Sequence, residues 1–254
     1  LVDNYQETFG LTVVEAMAHG LPAIVSEFNG YAELVREGET GFRVPTYASA
    51  GEEPWQALAG VLDPSLLGFY RGQKVAFDFK RFAETLGALA GNQGLCREMG
   101  NKAKAPSADY LWSSIIPRYE DMWQAQHETA LACNGNVACN SAPPLLVPDH
   151  RRVFGHYPSR FLDGQTRVRV SDYCRAQAAE NFKPVMYAAH GGRIRFAVMQ
   201  ALMSRLAGAS PDNAPALGAV VAEIASAGNL APELVMHNFD FLLKHGYIEI
   251  ADSV

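Results

Sequence analysis

From Val13 to Pro45 the chain changes element every few residues, and the changes fall on residues that stop helices or make turns. Val13 to His19 reads as a helix closed by Gly20 and followed by Pro22. Ala23-Ile24-Val25-Ser26 is a short buried strand, and Asn29-Gly30 a turn. Tyr31 to Glu37 is a short helix stopped by Gly38, and Gly41-Phe42-Arg43-Val44-Pro45 is a second strand. Helix, strand, helix, strand in this rapid order predicts an α/β fold built on a parallel sheet.

The rest of the chain reads in three parts. Residues 46–76, with Gly51, Pro54 and Pro64, are expected to be irregular. Three amphipathic helices follow, over about Phe79–Ala90, Leu95–Lys104 and Ala108–His127. The last is rich in aromatics (Tyr110, Trp112, Tyr119, Trp123), and all three are expected to cover the sheet. Residues 129–150, with Pro143, Pro144 and Pro148, read as a linker, so the domains are placed at 1–128 and 151–254. The second is mainly helical and changes sign along its length. Ten basic side chains face three acidic ones over 151–205 (net +7), and one faces six over 206–254 (net -5). The basic span could meet an acidic surface elsewhere in the protein.

Composition narrows the function. A net charge of -6 gives no general nucleic-acid binder and no surface for anionic lipid. No apolar run reaches the ~20 residues of a membrane span. The chain opens on Leu1 without Met or a helix start, and is read as a fragment of a longer, cytoplasmic protein. Cys96, Cys133, Cys139 and Cys174 form no C-x-x-C pair and read as reduced thiols, with a Cys133–Cys139 disulfide as the lesser alternative.

The chemistry concentrates in Glu7 to Gly20. Phe9-Gly10-Leu11-Thr12 reads as a tight loop entering a helix, with Thr12 as N-cap and Glu15 completing a capping box. A helix N-terminus offers unpaired N–H groups and partial positive charge, which suits a diphosphate. Gly10 removes a side chain where a phosphate would approach the backbone. Glu7 and Glu15 bracket the loop, and ionised carboxylates accept hydrogen bonds from sugar and ribose hydroxyls. A loop and helix with a capping box is also a common structural device, and Glu15 could simply cap its own helix.

Glu7 and Glu15 stand in the E-x7-E spacing of retaining glycosyltransferases with the GT-B fold, and the segment resembles glycosyltransferase family 4. Ala16-Met17-Ala18-His19-Gly20-Leu21-Pro22 resembles that family's E-A-M-A-x-G-x-P run. Asn29 to Val35 resembles its G-G-x-x-E-x-V turn and helix, and Gly38 with Gly41-Phe42 its strand entry. Met99-Gly100 and the stretch Trp112–Tyr119 resemble its closing helices, so the likeness covers roughly residues 1–127.

The resemblance implies the C-terminal, donor-binding half of a GT-B enzyme, a partial Rossmann-like parallel sheet with helices. Such an enzyme transfers a sugar from a nucleotide-diphosphate sugar to an acceptor that the sequence does not identify. It implies Glu7 as the catalytic residue on the sugar hydroxyls, Phe9, Gly10, Leu11 and Thr12 lining the donor through backbone N–H groups, and Glu15 on the ribose. It leaves Glu33 ambiguous and gives His19 no catalytic role. It implies a basic pair and an N-terminal acceptor domain upstream of Glu7 in the same parent chain, so the fragment alone is expected to be inactive. There is no D-x-D triplet, and no metal or other cofactor is expected.

Residues 151–254 lie outside that pattern. Their last helix, about Ala231–His245, and Tyr247-Ile248-Glu249-Ile250 resemble the end of a winged-helix module. Phosphate contacts dominate DNA affinity, and this helix carries Glu233 and Asp240 against only Lys244, which argues against nucleic acid as a partner. A non-catalytic interaction module and a DNA-associated regulator are the alternatives to the enzyme.

Overall fold

A computed structural model of the chain describes residues 9–50, 61–132, 150–176 and 192–251. The first of these stretches holds α1 (Leu11–Ala18), β1 (Ala23–Ser26), α2 (Tyr31–Leu34), β2 (Gly41–Val44) and β3 (Thr46–Ser49). α3 (Pro64–Gln73), β4 (Val75–Phe77), α4 (Phe79–Gly91), α5 (Gln93–Ser107) and α6 (Trp112–Ala132) follow. The extension holds α7 (His150–Phe154), β5 (Arg160–Leu162), β6 (Val168–Val170), α8 (Asp172–Ala176), α9 (Phe196–Leu206), α10 (Leu217–Gly228), α11 (Pro232–Lys244) and β7 (Ile248–Ile250). The fold is mixed α/β with small parallel sheets, as the alternation of short elements predicts.

β1 and β2 pair in parallel, Ala23 opposite Gly41 and Ser26 opposite Val44. Val13 and Met17 of α1 pack over them with Val25, Leu34, Val35 and Ala103 in a small core. α5 closes this core. It sits so close to the end of α1 that a Cβ on Gly100 would lie 1.9 Å from the carbonyl oxygen of Gly20. The Met99-Gly100 pair therefore has a packing reason: only glycine lets the two backbones touch.

Residues 46–76 are not irregular, contrary to expectation. β3, α3 and β4 lie in this span, and only residues 51–60 fall outside the described part. Pro64, read as a breaker, is the first residue of α3, where its missing N–H costs nothing. Asp63 caps that helix by accepting from the N–H groups of Ser65 (2.9 Å) and Leu66 (3.2 Å). A second correction concerns α6. It does not cover a sheet, because none of its residues is buried, and Trp112 is 75% exposed and Trp123 58%. Helical spacing of apolar residues gives amphipathicity without saying that a partner surface lies beneath. The expected linker begins late as well: residues 129–132 end α6, and 133–149, with Cys133 and Cys139, lie outside the described residues.

β3 pairs antiparallel with β4 and in parallel with β5, giving the order β4-β3-β5. The largest core joins Tyr47, Ala76 and Leu162 of that sheet to Met199, Leu202, Val220, Val235, Phe239 and Leu242 of α9, α10 and α11. β6 and β7 pair antiparallel, Val168 opposite Ile250, and complete the extension. Two of its basic side chains pair with acids of the same part of the chain. Arg169 pairs with Asp172 (2.7 Å) and Glu249, and Arg205 with Glu223 (2.7 Å).

α11 ties the extension to the sheet. Lys244 Nζ donates to the carbonyl of Gly72 (3.0 Å), and Asp240 accepts from the Ser49 hydroxyl. Asp240 is buried, which pushes its carboxyl up to about 7, while the Ser49 hydrogen bond and the Lys74 charge pull the other way.

Two predictions follow from this packing. Gly100→Ala should lower stability by about 1–3 kcal/mol, because the backbones must separate. Gly87→Ala, on α4 with open space around it, should raise it by up to about 1 kcal/mol; urea denaturation of both variants checks the contrast. The pH effect of Asp240 follows from its raised value. The folded protein keeps a proton here that the unfolded chain releases near about pH 4. The resulting stability is complete below about pH 4 and is lost as pH rises through about 7. Asp240→Asn should therefore gain on the parent steadily between those limits, measured by urea denaturation at several pH values.

Candidate active site

The loop into α1 is built on Gly10, whose φ of 84° and ψ of 54° place it in the left-handed region. A side chain is excluded there twice. The conformation disfavours one, and a Cβ would lie 2.6 Å from the Tyr31 ring. The Gly10 carbonyl accepts from the N–H groups of Val13 (2.9 Å) and Val14 (3.4 Å), closing the first turn. Leu11 and Thr12 then begin the helix with N–H groups that have no acceptor among the described residues, and both residues are exposed. Phe9 anchors the loop from the other side, its ring meeting Tyr110 edge-on at 5.4 Å.

This differs from the expected capping box. The N-cap is Gly10, Thr12 is the second helical residue, and no side chain caps the helix. The left-handed glycine starts α1 two residues early, so Glu15 falls outside the third helical position that a capping box requires. Glu15 is exposed, and nothing in the described residues ties it down as a cap. Its carboxylate stays on the same short helix as the open N–H groups of Leu11 and Thr12. His19 is exposed at the C-cap. Glu7, the expected catalytic residue, lies outside the described residues.

Glu33 is exposed on α2 and lines a polar recess of about 500 Å³ with Glu27, Asn29, His156 and Ser159. Asn29 forms the turn with a φ of 48° and accepts from the Tyr31 N–H at 3.3 Å. The Ser159 hydroxyl donates to Glu27 at 2.9 Å. Nothing in the sequence pattern placed the loop 156–159 beside the first forty residues, because the contact spans more than a hundred positions.

Among the described residues, no cluster of three His, Cys, Asp or Glu side chains could hold a metal ion, and no helix is long and apolar enough to cross a membrane. Cys96 and Cys174 are free, the Cys96 thiol donating to the Leu89 carbonyl at 3.1 Å.

Residues 1–53, which contain this loop and helix, match the family described as Glycosyl transferases group 1. The chain is similar to D-inositol 3-phosphate glycosyltransferase of Nocardia farcinica, 30% identical over 146 residues, or 56% of this chain and 26% of that protein. It is also similar to sucrose synthase of Beta vulgaris, 29% identical over 125 residues, or 46% of this chain and 16% of that one. Sucrose synthase of Solanum tuberosum is 29% identical over 131 residues, covering 48% and 16%. The chain thus spans about a quarter or less of the length of these relatives. No solved structure matches.

Gly10→Ala tests how the loop is built. It should destabilise the protein by about 1–2 kcal/mol from the backbone conformation alone, with a further loss from displacing Tyr31. Combining it with Tyr31→Ala should recover part of that further loss. A double-mutant cycle of thermal melts measures the coupling, and strictly additive effects would show that ring and glycine do not meet.

Proposed function

We propose that this chain carries the donor-binding part of a glycosyltransferase that moves a sugar from a nucleoside-diphosphate sugar to an acceptor, with retention of configuration. The observation that carries this reading is the exposed start of α1. A left-handed glycine without a side chain leads into two N–H groups with open donor capacity, in the segment matching the group 1 glycosyltransferases. Such a terminus attracts a diphosphate through both its donors and its partial charge. It also stabilises the negative charge that builds on the leaving diphosphate as the glycosidic bond to the donor breaks.

In this reading the diphosphate sits against Leu11 and Thr12, and Phe9 and Gly10 shape the approach. Glu15 accepts from the ribose hydroxyls, and Glu7 from those of the transferred sugar.

DNA binding through α11 has little support. Seven residues of that helix are buried, and it packs on α9, α10, β4 and α3. The face it leaves open, with Glu233, Leu234, Met236 and His237, lines a cavity and carries no lysine or arginine to meet phosphates.

Hydrogen bonds to a charged group contribute roughly 1.5–3 kcal/mol. Glu15→Ala should therefore weaken binding of a nucleoside diphosphate, and lower kcat/KM for transfer, by about tenfold to a hundredfold. Because Glu15 caps nothing, the melting temperature should barely move. Calorimetric titration with a nucleoside diphosphate, beside a thermal melt, reads both. Unchanged diphosphate affinity would remove Glu15 from the ribose site.

A further inference from the structure

A half-open cavity of about 720 Å³ lies between the ends of β3 and β5 and helices α10 and α11, and it shares no residue with α1 or with the polar recess beside α2. That is the volume of a small-molecule site. Its walls are mainly apolar, from Leu162, Leu217, Val221, Leu234 and Met236.

Asp240 lines this cavity and is only 4% exposed. One of its oxygens accepts from the Ser49 hydroxyl, and among the described residues the other accepts no hydrogen bond. The remaining charged groups face it from every wall. Lys74 follows α3, Asp163 follows β5, Arg193 precedes α9, and Glu233 and His237 stand on α11. Asp163 is already committed to its own turn, accepting from the N–H groups of Gln165 and Thr166, both at 2.9 Å, and from the Thr166 hydroxyl at 3.0 Å. Lys74 pulls the Asp240 carboxyl down only part of the way against burial.

An ionised carboxylate in apolar surroundings is costly unless a cation and hydrogen-bond donors meet it. We propose that this cavity binds a small apolar molecule carrying a single amine, its ammonium donating to the open oxygen of Asp240 and its apolar body lying against the α10 and α11 wall. A carboxylate ligand would be repelled at the same point. A neutral alcohol could donate one hydrogen bond without balancing the charge.

Calorimetric titration of the full chain with 4-phenylbutylamine, 4-phenylbutan-1-ol and 4-phenylbutyrate tests the assignment. The amine should bind at least about tenfold more tightly than the alcohol, a margin set by the stronger charge-assisted bond, and the acid should bind more weakly than the amine. Because the ammonium selects ionised Asp240, amine affinity should rise by about tenfold from pH 6 to pH 8, following the ionised fraction. Asp240→Asn keeps the shape and the acceptor for Ser49. It should erase both the preference for amine over alcohol and the pH dependence, while alcohol binding survives. Met236→Trp, filling the cavity from a half-buried position, should weaken amine and alcohol alike. Equal binding of amine and acid would overturn the proposal. So would an amine preference that survives Asp240→Asn, or absence of binding by any probe to protein shown to be folded by circular dichroism.

Discussion

Thr46–Ser49 is buried at every residue, so the backbone groups of this strand must find their hydrogen bonds inside the protein. They find them on both edges, from Val75–Phe77 on one side and Arg160–Leu162 on the other. Much else depends on that requirement. It draws a strand from beyond residue 150 into a sheet begun before residue 50. It places α11 where Asp240 meets Ser49 and Lys244 meets Gly72. It also brings the loop 156–159 beside Glu27 and Asn29. The Tyr47 hydroxyl shows how enclosed the strand is. Burial and the neighbouring Asp78 carboxylate, to which it donates at 3.0 Å, both raise its ionisation well above the ordinary tyrosine range.

The candidate donor site is much more local. Gly10, Leu11 and Thr12 are consecutive, and their geometry follows from one left-handed glycine and the helix it starts. Distant residues enter only as support. Tyr31 closes against Gly10, Tyr110 against Phe9, and Gly100 against the far end of α1. A phosphate site built on backbone donors needs little more than a fixed loop and a short helix, and so survives as a compact motif in sequence. The amine cavity shows the opposite arrangement. Ser49 and Asp240 are 191 positions apart, and no local pattern joins them.

Most elements up to Val44 were legible because glycine and proline act over one or two residues; the exception is α2, expected to run to Glu37, which ends at Leu34 because Val35 is already extended (φ -107°, ψ 124°). Gly20, Asn29-Gly30 and Gly38 stop helices or turn the chain for steric reasons that hold in any context. β1 falls where the apolar run Ala23–Ser26 predicts it, and β2 matches the expected second strand to within its terminal proline. Pro64 misled for the same kind of reason: proline is unfavourable inside a helix and favourable at its first position, and the neighbouring Asp63 decides between the two. The cap of α1 was misplaced because Thr12 and Glu15 have the right spacing for a capping box, while the left-handed state open to Gly10 starts the helix sooner.

Near-neighbour rules were enough for the α/β character of the first half, the loop and helix proposed to hold the donor, and a helix and strand near the C-terminus. Each is fixed by steric and hydrogen-bonding rules that act between near neighbours. Long-range packing alone sets that β5 completes the sheet of β3, that α11 packs on α3, α9, α10 and β4, and that the aromatic residues of α6 stay exposed. Strand pairing and helix packing join residues a hundred or more positions apart. Such contacts are selected by which surfaces can bury one another and satisfy their backbone groups, and hydrophobic periodicity along one segment carries no record of its partner.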